Sequence, residues 1–246
     1  PHASEYFASI NNLHNEIPPR ICSWREKFKL LEKSGIDFAF FLKFNNSLRT
    51  MSPENFISEI LDSINLKSFT VGDDFRFGLD RKGDTDQLRE WGKKRGILVE
   101  NTETILYKDE RVSSSRIRKA LIDNNFKLAE KLLGRPYTFS GKVVHGQHLG
   151  RTIDIPTANI WLPKQKLPIQ GVYAVQCNLG EKTYYGIANM GVRPTVGGTN
   201  PVLEVHLFEF SEFIYSQRLK VRFIKKIRDE DDIPDLSLIH ISEPTR

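Results

Sequence analysis

The stretch from Gly141 to Asn159 reads GKVVHGQHLGRTIDIPTAN and ends on two oxygen donors, the Thr157 hydroxyl and the Asn159 amide. Side chains alternate along an extended chain, so residues two apart lie on one side. A hydroxyl and a carbonyl placed that way suit a hard cation such as Mg²⁺, which takes oxygen ligands and often arrives with substrate phosphates. Just upstream, Gly146 and Gly150 frame flexible backbone ahead of the Arg151 guanidinium. The same residues also fit a turn leading into a short strand, with Thr157 and Asn159 bonded to their own backbone. Spacing alone leaves both readings open.

Three other segments carry chemistry. Glu204 is a carboxylate in the middle of an alternating apolar run, Val202 to Phe208. A buried carboxylate needs a partner or a wet cleft. A glutamate of ordinary acidity is ionised at neutral pH and can accept a proton. Glu204 could equally face solvent or pair with a base such as Arg222. The segment Gly72-Asp73-Asp74-Phe75-Arg76-Phe77-Gly78 follows a short strand, the end at which parallel sheets bind ligands. It also fits a surface loop with its two aromatics tucked into the core. Ser113-Ser114-Ser115-Arg116-Ile117-Arg118 opens a helix, where free N–H groups and the dipole favour a phosphate and the arginines add donors. Ordinary serine capping explains that segment as well.

The elements that must position these groups fall into two rhythms. Ser23 with Glu26 forms a capping box, Trp24, Phe28 and Leu31 mark one helix face, and Gly35 ends that helix. Ile36 to Phe44 is a dense apolar run, expected as a strand buried on both faces. Ser52 and Pro53 open a helix whose inner face is Phe56, Ile57, Ile60, Leu61 and Ile64. Strands over 68–72 and 97–100 flank a helix running from Asp84 to Arg95. Alternation of this kind implies a mainly parallel, α/β sheet flanked by helices. A helix from Phe126 to Leu133 ends on Gly134, with Pro136 behind it, and marks the domain boundary. Beyond it the period becomes two. Strands over 172–179 and 182–190 join at Gly180-Glu181, and Leu203-Val205-Leu207 and Leu219-Val221-Phe223 alternate with polar residues. Short strands with turns between them imply a small antiparallel barrel.

Composition narrows the function classes. The chain's 246 residues allow two modest domains, and 39% hydrophobic with 27% charged residues is ordinary for a globular protein. A net charge of +5 suits an anionic nucleotide without calling for nucleic acid, since the Lys and Arg residues are spread evenly. Cys22 and Cys177 are far apart with no metal-type spacing, which points to a reduced, cytoplasmic setting. No apolar run is long enough to span a bilayer, and no secretion leader is visible. The glycines at 146 and 150 do not form a P-loop, which needs one more intervening residue and a lysine.

Four motifs in order, Gly146 to Asn159, Gly171-Val172-Tyr173-Ala174, Asn189-Met190-Gly191-Val192-Arg193-Pro194-Thr195 and Leu203-Glu204-Val205-His206, resemble the riboflavin kinase module. The chain as a whole resembles the bacterial bifunctional riboflavin kinase and FAD synthetase, with residues 1–134 as the FMN adenylyltransferase domain and 135–246 as the kinase domain. The resemblance implies a Rossmann-type nucleotidyltransferase sheet followed by a six-stranded antiparallel Greek-key barrel. It implies ATP as co-substrate, riboflavin, FMN and FAD as substrates and products, and Mg²⁺ held by Thr157 and Asn159. Gly146, Gly150 and Arg151 would then lie over the ATP phosphates, and Glu204 would accept the proton of the terminal ribityl hydroxyl. Glu204 is therefore expected in one pocket with Thr157 and Asn159 and off the barrel's outer wall. Asn189, Arg193 and Thr195 are assigned to a binding loop. Asp73, Phe75 and Arg76 are assigned to the flavin side of the adenylyltransferase site, and Ser114 and Arg116 to its ATP. His145, His148 and His206 are expected to be packed or solvated.

Two departures from the family pattern stand out. No His-x-Gly-His pair on a glycine-rich loop precedes Ser113, so impaired FAD formation is expected. The last residues, LSLIHISEPTR from Leu236 to Arg246, have no helical face and resemble the conceptual translation of a sequencing adapter. A non-native tail and a weakened flavin pocket are expected there. The competing readings are a non-catalytic flavin or nucleotide binder and, last, a nucleic-acid-binding barrel suggested by a pI near 9.1. Oligomeric state is not legible.

Overall fold

The computed structural model describes residues 3–11, 17–144, 157–162, 167–195 and 198–229. In chain order the described elements are α1 (Ala3–Asn11), α2 (Trp24–Lys33), α3 (Asn46–Thr50), α4 (Pro53–Phe56), β1 (Ser68–Gly72), α5 (Thr85–Arg95), β2 (Leu98–Thr102), β3 (Leu106–Tyr107), β4 (Glu110–Arg111), α6 (Ser114–Ile122), α7 (Phe126–Leu133), β5 (Thr138–Val144), β6 (Ala158–Ile160), β7 (Gly171–Leu179), β8 (Lys182–Thr195), β9 (Gly198–Leu207) and β10 (Arg218–Arg228). Contacts divide the chain into two units, residues 1–18 with 36–112, and 19–35 with 113–246.

The first unit is built on a β-α-β crossover. β1 and β2 pair in parallel from Ser68↔Leu98 to Gly72↔Thr102, joined through α5. Parallel neighbours cannot be joined by a tight hairpin, so the intervening helix packs back on the sheet. Asp84 caps α5 through Gln87 N, and Gly96 ends it in the left-handed region at φ 68°. Leu61, Val71, Phe77, Leu88 and Trp91 form the core, with Phe56, Phe69, Phe75 and Val99 packed around it. The Trp91 indole donates to Asp62 at 2.9 Å, so the buried ring keeps a polar partner. The Ser52–Pro53 start is present as read, and α4 continues into a π-helical turn over Ile57–Leu61.

One sequence expectation is corrected in these elements. Ile36 to Phe44 is not a buried strand: it forms no strand, and Phe38 and Phe40 are 81% and 77% exposed. A strand needs a ladder to join, and among the described residues β1 pairs with β2 alone. The capping box of α2 is present as read, and the helix face marked by Trp24 and Phe28 is exposed. The Trp24 ring carries Arg20 and Lys27 at 5.7 and 5.5 Å.

The second unit is a closed six-stranded barrel in the order β10-β5-β6-β9-β8-β7, with every pair antiparallel. Closure leaves no sheet edge to cover. Its interior holds Phe139, Val143, Tyr173, Val175, Cys177, Ala188, Leu203, Val205, Leu219 and Val221, all within 2% of full burial. The 180–181 turn is tight, with Gly180 at φ 59°. Helix α7 closes one side: Phe126 meets Tyr137, Tyr173 and Phe223 with ring centroids 5.7 to 6.4 Å apart.

Candidate functional site

The barrel's strand register builds the site. In an antiparallel pair, directly opposed residues share a face and their Cβ atoms stand about 4.5–5.5 Å apart. Glu204 on β9 is opposite Asn159 on β6 and opposite Asn189 on β8. The same row continues to Val144 beyond Asn159, and to Val172 and then Arg228 of β10 beyond Asn189. A carboxylate and two amides thus stand side by side across three strands, bracketed by two half-buried valines.

The row faces away from the barrel core. Leu203, Val205 and Leu207 are buried, while Glu204 and His206 between them are half-buried. The expectation that Glu204 would avoid the outer wall is therefore corrected. Period-two alternation puts the neighbours of three core residues outside. What survives is the shared face: Asn159 lies beside Glu204 on that outer side. Thr157, two residues before Asn159, is half-buried just ahead of β6.

Asn189 has the least satisfied group of the row. Its side-chain oxygen is buried and has no hydrogen-bond partner among the described residues. Asn189 lies in the strand that alternation predicts over 182–190, whereas Arg193 and Thr195, expected in a loop, do not lie in one. They belong to β8, which pairs with β9 out to Thr195↔Gly198. Pro194 does not break this ladder, and Pro194↔Thr199 remain paired in register. Arg222 is not a neighbour of Glu204. It sits opposite Thr138 and Gln176, with Glu130 at 3.7 Å. His206 packs its ring 5.8 Å from Phe208, in keeping with a packing role. Gly146, Gly150, Arg151, His145, His148 and the segment from Leu236 to Arg246 lie outside the described residues.

In the first unit the loop after β1 is held by charge. Thr104 Oγ1 donates to Asp73, and Arg111 bridges Asp73 at 3.1 Å and Asp74 at 3.0 Å. The Thr104 hydroxyl first, and then the Arg111 guanidinium, hold the Asp73 carboxyl below the usual range. Phe75 stacks on buried Phe77 at 5.8 Å, so part of its surface belongs to the core. Arg76 is 3.5 Å from Asp84, the residue that caps α5. Thr104 and Arg111 were missed from sequence because they come from a loop and a two-residue strand with no periodic signal. In the second unit the capping residue of α6 is Ser113, which accepts from Arg116 N at 3.2 Å. Ser114 follows it and is exposed, and Arg116 is half-buried. Arg118 donates from Nε to the Pro19 carbonyl at 2.8 Å, a structural use for one of the two arginines.

Comparison with known proteins assigns both halves. A riboflavin kinase family profile matches residues 133–240, and an FAD synthetase profile matches residues 1–116. The bifunctional riboflavin kinase/FMN adenylyltransferase of Escherichia coli (strain K12) is 42% identical over 238 residues, covering 96% of this chain and 74% of that protein. Its counterpart in Haemophilus influenzae is 42% identical over 232 residues, covering 94% and 74%. A crystal structure titled as a macrolide-efflux protein from Streptococcus pneumoniae superposes with a TM-score of 0.74 at 30% identity, covering 90% of this chain and 72% of that one. That name belongs to the other protein; what the two share is the chain path.

Proposed function

The chain belongs to the bifunctional riboflavin kinase/FMN adenylyltransferase family, and from that premise we infer that it phosphorylates riboflavin to FMN with ATP, with adenylylation of FMN to FAD as the family's second activity. The observation that supports the kinase chemistry is the row Asn159–Glu204–Asn189 across three barrel strands. Phosphoryl transfer to an alcohol needs an acceptor for the hydroxyl proton and a way to hold the phosphates in line. Glu204 is the proton acceptor in this proposal. Its carboxylate orients the terminal ribityl hydroxyl and takes its proton as the bond to phosphorus forms.

Thr157 and Asn159 are the residues proposed to hold Mg²⁺. They offer a hydroxyl and an amide oxygen, hard donors of the right kind. Among the described residues no group of three His, Cys, Asp or Glu could cage a metal by itself. Two protein oxygens beside a base fit a cation that shares its ligands with nucleotide phosphates. When bound, such an ion neutralises charge developing on the transferred phosphoryl group. Asn159 then does two things at once: it contributes an oxygen to the cation and fixes that oxygen beside Glu204. Gly146, Gly150 and Arg151 are proposed to cover the phosphates, and Arg193 to contact substrate.

For the adenylyl half, Asp73, Phe75 and Arg76 are proposed at the flavin side, and Ser114 and Arg116 at the ATP side. Residues 1–134 are proposed as the adenylyltransferase domain and 135–246 as the kinase domain. The partners are small molecules: riboflavin, FMN and ATP, with no nucleic acid. No described helix is long and apolar enough to cross a membrane. Cys22 and Cys177 are both free thiols, which suits a cytoplasmic location.

The direct test is riboflavin phosphorylation with Mg-ATP, comparing the parent with Glu204→Gln. Loss of a positioned base typically lowers turnover by about 10²–10⁴-fold. A drop of at least about a hundredfold in kcat, with riboflavin binding retained, is expected. Binding without turnover in the parent would select a non-catalytic flavin binder instead.

A further inference from the structure

Asn189 presents a buried side-chain oxygen with no partner among the described residues, one strand away from the proposed base. Leaving a buried acceptor unpaired is unfavourable, and folded proteins rarely do so without a functional reason. Both Glu204, when ionised, and the Asn189 carbonyl are acceptors. The Asn189 carbonyl stands beside the proposed base, so a ligand that offers one hydroxyl to each carries donors on adjacent carbons. A polyhydroxylated chain is such a ligand, because adjacent carbons each carry an O–H. An isolated primary alcohol is not.

We propose that Asn189 is a specificity-determining residue for the alcohol substrate: its side-chain carbonyl accepts the O–H of the ribityl hydroxyl next to the terminal one, while Glu204 takes the terminal hydroxyl. This rests on the assignment of Glu204 as the base. The strand register sets the spacing, since Asn189 and Glu204 are directly opposed. The Asn189 oxygen is buried and lacks a hydrogen-bond partner among the described residues, and the substrate hydroxyl would supply that donor. A site built around an unpaired acceptor discriminates strongly against an analogue lacking the matching hydroxyl, because the acceptor then stays unpaired.

The test uses the full chain, Mg-ATP and two substrates: riboflavin, and an analogue lacking only the hydroxyl adjacent to the terminal one. The parent should prefer riboflavin by about tenfold or more in kcat/KM. Asn189→Ala should lose about that factor on riboflavin and nothing further on the analogue, with KM for ATP unchanged. Asn189→Ser, which keeps a small polar side chain in the strand, runs the same comparison if the alanine barrel does not fold. Equal losses on both substrates, a raised KM for ATP, or parental kinetics in the variants would overturn the proposal. Glu204→Gln is measured alongside. If it keeps parental kcat, the assignment of the base fails and this inference goes with it. If Glu204→Gln is inactive and the Asn189 variants behave like the parent, this inference alone fails.

Discussion

Glu26 shows how one side chain can tie a helix start to the pH response of the fold. Its carboxylate accepts from Ser23 N at 3.0 Å and from Ser23 Oγ at 3.1 Å, while the Ser23 hydroxyl accepts from Glu26 N. Burial nevertheless pushes the Glu26 carboxyl above its usual range, against the pull of Ser23, Arg135 and Ser140. The folded protein therefore holds this proton more tightly than the unfolded chain does. The stability it contributes is fully present below the ordinary glutamate value, about pH 4.3, and is lost as pH rises through the raised folded value. Glu26→Gln keeps the capping box, because a glutamine carbonyl serves as well there. It should flatten the decline in urea-unfolding midpoint above about pH 4.3. A variant with the parent's pH slope would show that Glu26 is not the group responsible. Tyr137 and Cys177 illustrate the same physics in neutral groups. Burial drives the Tyr137 phenol far up and the Cys177 thiol up to about 12, so neither ionises near neutrality.

Strands β8 and β9 are the elements on which the kinase proposal stands, since they carry Asn189 and Glu204. Gly186 of β8 stands opposite Leu207 of β9. A Cβ there would press into the His206 backbone carbonyl, and backbone cannot move aside as a flexible side chain can. Glycine is required at this position by close approach. Gly186→Ala should part the two strands, destabilise the barrel by roughly 1–3 kcal/mol and lower kinase activity. Thermal denaturation and riboflavin turnover measured together would check this; full stability with full activity would contradict it. The same pairing explains how Arg193 and Thr195, which look like loop residues around Pro194, come to lie in a strand. A sequence signal of turn residues was outweighed by the antiparallel ladder from Gly186 to Thr195.

Over the whole molecule, helices α6 and α7 are grouped with the barrel, although they precede Gly134. The FAD synthetase profile ends at 116 and the riboflavin kinase profile begins at 133, so the segment between them belongs to neither. Packing explains why it stays: Phe126 fills the aromatic cluster of Tyr137, Tyr173 and Phe223, and Tyr173 donates to Asn124 at 3.0 Å or to the Gln170 carbonyl at 2.8 Å. Removing a buried phenylalanine from a core typically costs about 3–5 kcal/mol. A fragment beginning at 113 should therefore be more stable than one beginning at 135, by a margin of that order. Comparing their melting temperatures tests it, and equal values would mean that the two helices merely lie on the barrel.

The sequence by itself determined most of the local pieces and the family. Capping residues placed α2, α4, α5 and α6, because a cap is satisfied by atoms within one turn. Alternation over 172–179 and 203–207 gave barrel strands for the same local reason, and four motifs in order named the kinase module. Other features depended on distant partners. Ile36 to Phe44 has the composition of a strand but no neighbour to pair with among the described residues, and composition cannot supply a hydrogen-bonded ladder. Which side of β9 faces the core, which residues stand opposite Glu204, and the Asn189 oxygen left without a partner among the described residues all depend on register between segments up to 45 positions apart. Register is fixed by closing the barrel and burying one face of every strand together, so it exists only once the tertiary structure has formed.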